Sequence, residues 1–212
     1  MTFRSKLKYL VIPVPVLVMS LFAVTPAKGD NIVLNGGFET GDFTNWTEHT
    51  CSVGPCGAAG YFVVNFNSHS GTYAAATECV DPASCLDPAT GDYIFQDLST
   101  VASSPYTLAF WLRPDNSQPN GVTVYWDGLL AGSFLNEPGG VYTEFTINNL
   151  VATSNITRLQ FNGFHSPATI YIDDITVSTA VPESSSILLL GTGLIGLGGL
   201  IKLKIFSCAQ AS

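Results

Sequence analysis

The most recognisable chemical spacing in the chain is Gly191-Thr192-Gly193-Leu194-Ile195-Gly196, a literal G-x-G-x-x-G. A dinucleotide loop of this form follows a buried strand, opens a helix and is completed by an acidic residue about 20 positions on. The 16 residues after Gly196 contain no Asp or Glu, so the ribose-binding half of that motif is missing. His49, His69 and His165 stand far apart, outside any H-E-x-x-H spacing, and no G-x-S-x-G elbow occurs. Carboxylates are abundant, but no two are marked out as an acid and base pair. No catalytic motif emerges.

The cysteines are the next candidates. Cys51 and Cys56 bracket "SVGP", and Cys79 and Cys85 bracket "VDPAS". Zinc spacing of the C-x2-C kind is absent. Four cysteines allow three disulfide pairings, which spacing alone does not separate. Gly54-Pro55 and Asp81-Pro82 favour tight turns, which makes two local bridges the expectation.

These residues must be positioned by strands. "YFVVNF" (61–66), "TYAAAT" (72–77), "YTLAFWLR" (106–113), "VTVYW" (122–126), "YTEFTI" (142–147), "ITRLQFN" (156–162) and "TIYIDDITV" (169–177) have strand composition, with Gly, Pro, Asn, Asp and Ser between them. No long stretch has helical periodicity. The reading is all-β, an antiparallel sandwich of two sheets.

Period-two alternation then assigns faces. Burying Leu108, Phe110 and Leu112 puts Trp111 and Arg113 outside; burying Val122, Val124 and Trp126 puts Tyr125 and Asp127 outside. Exposed aromatic rings beside polar groups suit a sugar, whose C–H face packs on the ring while its hydroxyls are bonded. Trp111, Arg113, Tyr125 and Asp127 are therefore candidate carbohydrate contacts.

Both ends of the chain point to export. Arg4, Lys6 and Lys8 precede an apolar stretch from Leu10 to Val24 and the small-residue run Thr25-Pro26-Ala27, the pattern of a signal peptide over 1–27, with Gly29 as the alternative cut. At the other end Ile187 to Ile201 is uncharged and followed by Lys202 and Lys204. Fifteen residues span about 22 Å as a helix. Snorkelling lysines extend the apolar length, so a membrane helix over 187–206 is expected, with its basic end on the cytoplasmic side. Between the two segments, 28–180 forms one domain. Residues 28–181 hold three basic residues against fifteen acids, a net charge of −12. That field repels phosphate backbones and excludes nucleic acid as a partner.

The stretches "NIVLNGGFETGDFTNWT" (31–47), "HSGTYAAAT" (69–77), "YTLAFWLR" and "ATIYIDDITVS" (168–178) occur in the order typical of exported galactose-binding-like jelly-roll modules, many of them carbohydrate-binding, and the domain resembles that group over most of 31–178. The resemblance implies a structural calcium held by Glu39 and Asp173, with Asp174 as the other candidate ligand. Hard carboxylate oxygens suit that cation, although Asp173 and Asp174 have the alternative of bonding loop amides. The tail, 181–212, resembles a PEP-CTERM sorting segment: Val181-Pro182-Glu183, an apolar stretch and a basic end, with Ser184 where a second proline is usual. This implies an exosortase-type membrane protease as partner, transient anchoring in the inner membrane, and final residence at the cell surface or in the matrix.

Three readings follow. The first is a non-catalytic module binding extracellular polysaccharide. The second is an adhesive matrix protein stabilised by calcium. The third is a glycan hydrolase whose residues converge only in the fold.

Overall fold

The computed structural model describes residues 29–51, 56, 60–115 and 118–179. The signal peptide, the Val181-Pro182-Glu183 motif and the 187–206 segment lie outside them. Among the described residues no helix is long and apolar enough to cross a membrane.

Among the described residues ten strands and one helical turn follow in chain order: β1 (Thr47–His49), β2 (Tyr61–Val64), β3 (Ala74–Thr77), α1 (Pro82–Cys85), β4 (Tyr93–Ser99), β5 (Pro105–Pro114), β6 (Asn120–Trp126), β7 (Leu129–Leu135), β8 (Thr143–Val151), β9 (Ile156–His165) and β10 (Ile170–Thr179). They form two five-stranded antiparallel sheets. The order is β1-β4-β9-β6-β7 in the first and β2-β3-β10-β5-β8 in the second. The all-β expectation holds, and all seven predicted strands form. β1, β4 and β7 were not anticipated.

Alternation builds the core between the sheets. Leu108, Phe110 and Leu112 of the second sheet face Val122, Val124 and Phe161 of the first, all without solvent exposure. Each such side chain contributes about 1.5–3 kcal/mol through removal from water. Phe110 meets Phe161 and Phe134 edge-on, at 5.2 and 5.3 Å between centroids.

β10 departs from strict alternation. Ile170, Ile172, Ile175 and Val177 are all buried in the core, and two residues rather than one separate Ile172 from Ile175. A bulge between Asp173 and Thr176 absorbs the extra residue, with Asp174 at φ 48°. Gly36 crosses the bulge so closely that a Cβ would lie 2.1 Å from the Ile175 carbonyl oxygen. The "NGG" backbone is thereby seated against β10, where Gly36 O accepts from Ile175 N at 2.9 Å.

Both disulfides are local, Cys51–Cys56 and Cys79–Cys85, as the turn residues imply. The second closes around α1. There Asp81 caps the helix by accepting from Ser84 N at 2.8 Å, and Pro82 fills the first turn, where its missing N–H has no cost.

Candidate functional site

Trp111 does point out of β5, and Arg113 with it, both half-buried. The indole is not bare. The imidazole of His69, from the loop after β2, stacks on it at 3.7 Å and 13°. Tyr142 meets His69 edge-on at 5.3 Å and donates from its hydroxyl to Asn67 O at 2.6 Å. Burial and the nearby Asp173 carboxylate push the Tyr142 phenol up, keeping it a donor. The Arg113 guanidinium lies 5.3 Å above the Tyr171 ring. A sugar ring reaches the stacked face of Trp111 only if His69 leaves.

Carboxylates hold this loop. Asp173, fully buried, accepts from His69 N at 2.8 Å and Ser70 N at 3.2 Å, while its other oxygen accepts from Asp174 N at 2.7 Å. Burial raises its pKa to about 6 against these three amides. Asp174 accepts from His69 Nδ1 at 2.7 Å and Ser70 Oγ at 2.8 Å. Glu39 accepts from Thr72 N at 2.9 Å and Tyr73 N at 3.0 Å. Glu39, Asp173 and Asp174 do come together, around Gly37. Five of their six oxygens are nonetheless engaged by donors of the 69–73 loop and the sixth, Asp173 Oδ1, by Asp174 N, and no group of three or more such ligands suited to a metal occurs among the described residues. As arranged, the trio does not fit calcium: it fastens the 69–73 loop to β10.

Tyr125 and Asp127 are elsewhere, so the four candidate contacts do not share one surface. Tyr125 projects from the outer face of the first sheet and donates to Leu86 O at 3.3 Å. Asp127 begins the two-residue turn between β6 and β7, with φ 53° before Gly128 at 78°, and accepts from Thr153 Oγ1. Trp111 and Tyr125 lie on opposite outer faces of the sandwich, because β5 and β6 belong to different sheets.

The first sheet assembles a different site. Thr47, Phe95, Gln160, Tyr125 and Leu130 are successive cross-strand partners through all five strands. At about 4.8 Å per strand this row is about 19 Å long. Beside it Arg158 clamps Asp97 bidentately, at 2.8 and 3.0 Å, with its guanidinium 3.7 Å above the Phe95 ring. The pair is 44% and 45% exposed, so both hydrogen-bonding groups face solvent. The Arg158 hydrogen bond holds the Asp97 carboxyl below its ordinary range. His49 stacks on Tyr93 at 4.6 Å and 6°. An open groove of about 580 Å³ continues around the sheet edge, lined by Leu34, Asn45, Thr47, Phe95, Asp97 and Ser99. It exists because β1 pairs with residues 93–95 only, leaving the rest of the β4 edge uncovered. The signal for this site was present in "YIFQDLS". There Ile94 and Leu98 alternate with Phe95 and Asp97.

A third polar cluster is sealed. Asp92 is 1% exposed and accepts from Cys51 N at 2.5 Å. Its other oxygen, the Tyr61 hydroxyl and Thr123 Oγ1 find no hydrogen-bond partner among the described residues. Tyr61 reaches across the core to Gly163, where a Cβ would sit 2.6 Å from its hydroxyl. Burial raises the Asp92 pKa, opposed by the Cys51 amide and by His49. The folded state therefore holds this proton more tightly than the unfolded chain, whose aspartate pKa is about 3.9. Stability from Asp92 is fully present below that value and is lost as pH rises through the folded pKa. Asp92→Asn is expected to remove that downward slope and to stabilise the protein at pH 7 by about 1 kcal/mol. Denaturant melts across pH 3–7 check this, and an unchanged slope contradicts it.

No protein-family model and no curated protein matches the chain. Solved structures do. One is a CBM61 module in complex with β-1,4-galactotriose, 20% identical over 71% of this chain and 99% of that one, with a TM-score of 0.52. Another is the CBM22-1 xylan-binding domain of Paenibacillus barcinonensis Xyn10C, 11% identical over 73% and 97%, with a TM-score of 0.50. A third is the Stig cyclase Fisc from Fischerella sp. TAU, 12% identical over 73% and 98%, with a TM-score of 0.51. At these identities the likeness is one of fold: the chain is an antiparallel jelly-roll sandwich of the kind seen in carbohydrate-binding modules and also in a cyclase.

Proposed function

We propose that the domain is a non-catalytic module that binds neutral polysaccharide across the outer face of its first sheet. The observation that carries this reading is the solvent-facing Arg158–Asp97 clamp over Phe95, opening into the β4-edge groove. Arginine donors and carboxylate acceptors fixed against each other suit vicinal hydroxyls, and an open groove along the β4 edge suits a chain-like ligand. The neutral class follows from charge. Three basic residues among fifteen acids disfavour a polyanion. The sugar-bound CBM61 module lends support through its shared fold. Catalysis has less to recommend it: the carboxyls pushed upward, Asp92 and Asp173, are 1% and 0% exposed and reach no substrate.

In the same proposal the protein is exported by the 1–27 signal. It is anchored in the inner membrane through 187–206 and handed by an exosortase-type protease at Val181-Pro182-Glu183 to the cell surface or matrix. The composition of both ends supports this.

Affinity electrophoresis through gels containing soluble galactan, xylan or glucan tests the binding reading. At least one neutral polymer is expected to retard the protein, and Arg158→Ala to weaken that retardation about 10- to 100-fold, the loss expected for a charge-assisted bond. Trp111→Ala should leave retardation unchanged. Retardation by anionic polymers alone, or loss in Trp111→Ala but not Arg158→Ala, would contradict it.

A further inference from the structure

Among the described residues, five of the ten large exposed apolar side chains gather at one end of the sandwich. Val101, Leu129, Leu130, Val151 and Ile156 are 62%, 71%, 60%, 52% and 64% exposed. Several contacts place them together. Leu129 pairs with Trp126, whose Nε1 donates to Val151 O at 3.0 Å. Asp127 N donates to Arg158 O at 2.8 Å, beside Ile156. Ile156 pairs with Ser99, and Thr100 N donates to Asn155 O at 3.0 Å, next to Val101.

The described chain begins and ends at this same end. Thr179 pairs with Tyr106, neighbour of Pro105, which pairs with Val151. Gly29 lies so close that a Cβ there would be 2.4 Å from Thr179 Oγ1. Seven residues, 180–186, separate Thr179 from the uncharged stretch that starts at Ile187. Even fully extended, that connection spans at most about 28 Å.

We infer that this apolar end is a lipid-facing surface, on which the domain rests while the 187–206 segment is in the bilayer. The inference depends on the anchoring reading given above. A short tether holds the end near the headgroups, and leucine, valine and isoleucine side chains around an exit point gain by entering that interface. The Cys79–Cys85 bridge, whose Cys79 carbonyl accepts from His165 N, and the Phe66–Tyr171 contact are at the opposite end, where the register puts Tyr171 against Arg113. Phe66, itself 56% exposed, is therefore a matched apolar control on the far side.

The test uses the full chain in a Cys208→Ser background, spin-labelled at Leu129→Cys, at Ile156→Cys or at Phe66→Cys. The protein is reconstituted into phosphatidylethanolamine–phosphatidylglycerol vesicles. Collision with oxygen and with a water-soluble nickel chelate is then compared with the detergent-solubilised protein. Labels at 129 and 156 are expected to lose nickel accessibility several-fold and to gain oxygen accessibility, while the label at 66 stays unchanged. Flotation of the protein with vesicles but no change at 129 or 156 would overturn the inference and leave anchoring intact. Spin–spin broadening between labels at 129 would assign the surface to a second copy and also overturn it. Failure of the full chain to float would overturn the anchoring reading and this inference with it.

Discussion

Asp173→Ala is expected to lower stability by about 3–5 kcal/mol, the largest loss predicted for any single substitution outside the hydrophobic core. The carboxylate is completely buried and accepts from the amides of His69, Ser70 and Asp174. Alanine leaves three amide donors without their acceptor at the bulge that re-registers β10. For a domain of this size the melting temperature should fall by about 10 °C. Asp173→Asn retains one acceptor oxygen and should lose less than half as much. Because His69 is held by the same carboxylates, its release should also uncover Trp111 and shift the tryptophan emission. Thermal melts by circular dichroism with parallel fluorescence make the comparison. Calcium or a chelator should leave the wild-type melt in place, since the trio's oxygens already accept from loop and β10 donors. A variant melting within about 2 °C of wild type would contradict the loop-fastening role.

Removing the Cys79–Cys85 bridge comes next. Closing a loop of seven residues is worth about 2.4 kcal/mol in the chain-entropy account, so Cys79→Ala with Cys85→Ala should melt about 5–10 °C lower. The consequence should extend beyond the loop. Cys85 O and Asp87 O accept from Asn162 Nδ2 at 3.2 and 2.8 Å, Leu86 O from Tyr125, and Pro88 O from Gln160 at 2.9 Å. These bonds roof one end of the first sheet's outer face, so the double variant should also bind glycan more weakly. An unchanged melt, with the Cys51–Cys56 bridge confirmed intact by thiol titration, would contradict this.

How much of this was legible depends on range. The outward direction of Trp111 and Tyr125 followed from alternation inside single strands, and it is correct. Which sheet each strand joins is not encoded locally, so alternation alone does not show that the two stand on opposite faces of the sandwich. The cover on Trp111 was equally out of reach, because His69 arrives from 42 residues earlier in the chain and is steered by Asp173 and Asp174. β10 was more informative than a simple strand reading allows. Ile172 and Ile175 cannot both be core residues without a bulge, which marks Asp173–Asp174 as a special position. The omission of β4 was costliest, since Phe95 and Asp97 went with it. Strand β7, "LLAGSFL", shows little burial contrast and owes its conformation to pairing with β6. The disulfides were read correctly because a turn between close cysteines is a local matter.

Hydrogen–deuterium exchange of the full chain, with and without the neutral polysaccharide that retards it most, distinguishes the two outer faces as the binding surface. Added protection is expected in 93–99 and 156–162, the strands carrying Phe95, Asp97 and Arg158, with 66–73 and 107–113 unchanged. Protection confined to 66–73 and 107–113 would place the ligand at Trp111, beneath a displaced His69, and would contradict the assignment of the binding face.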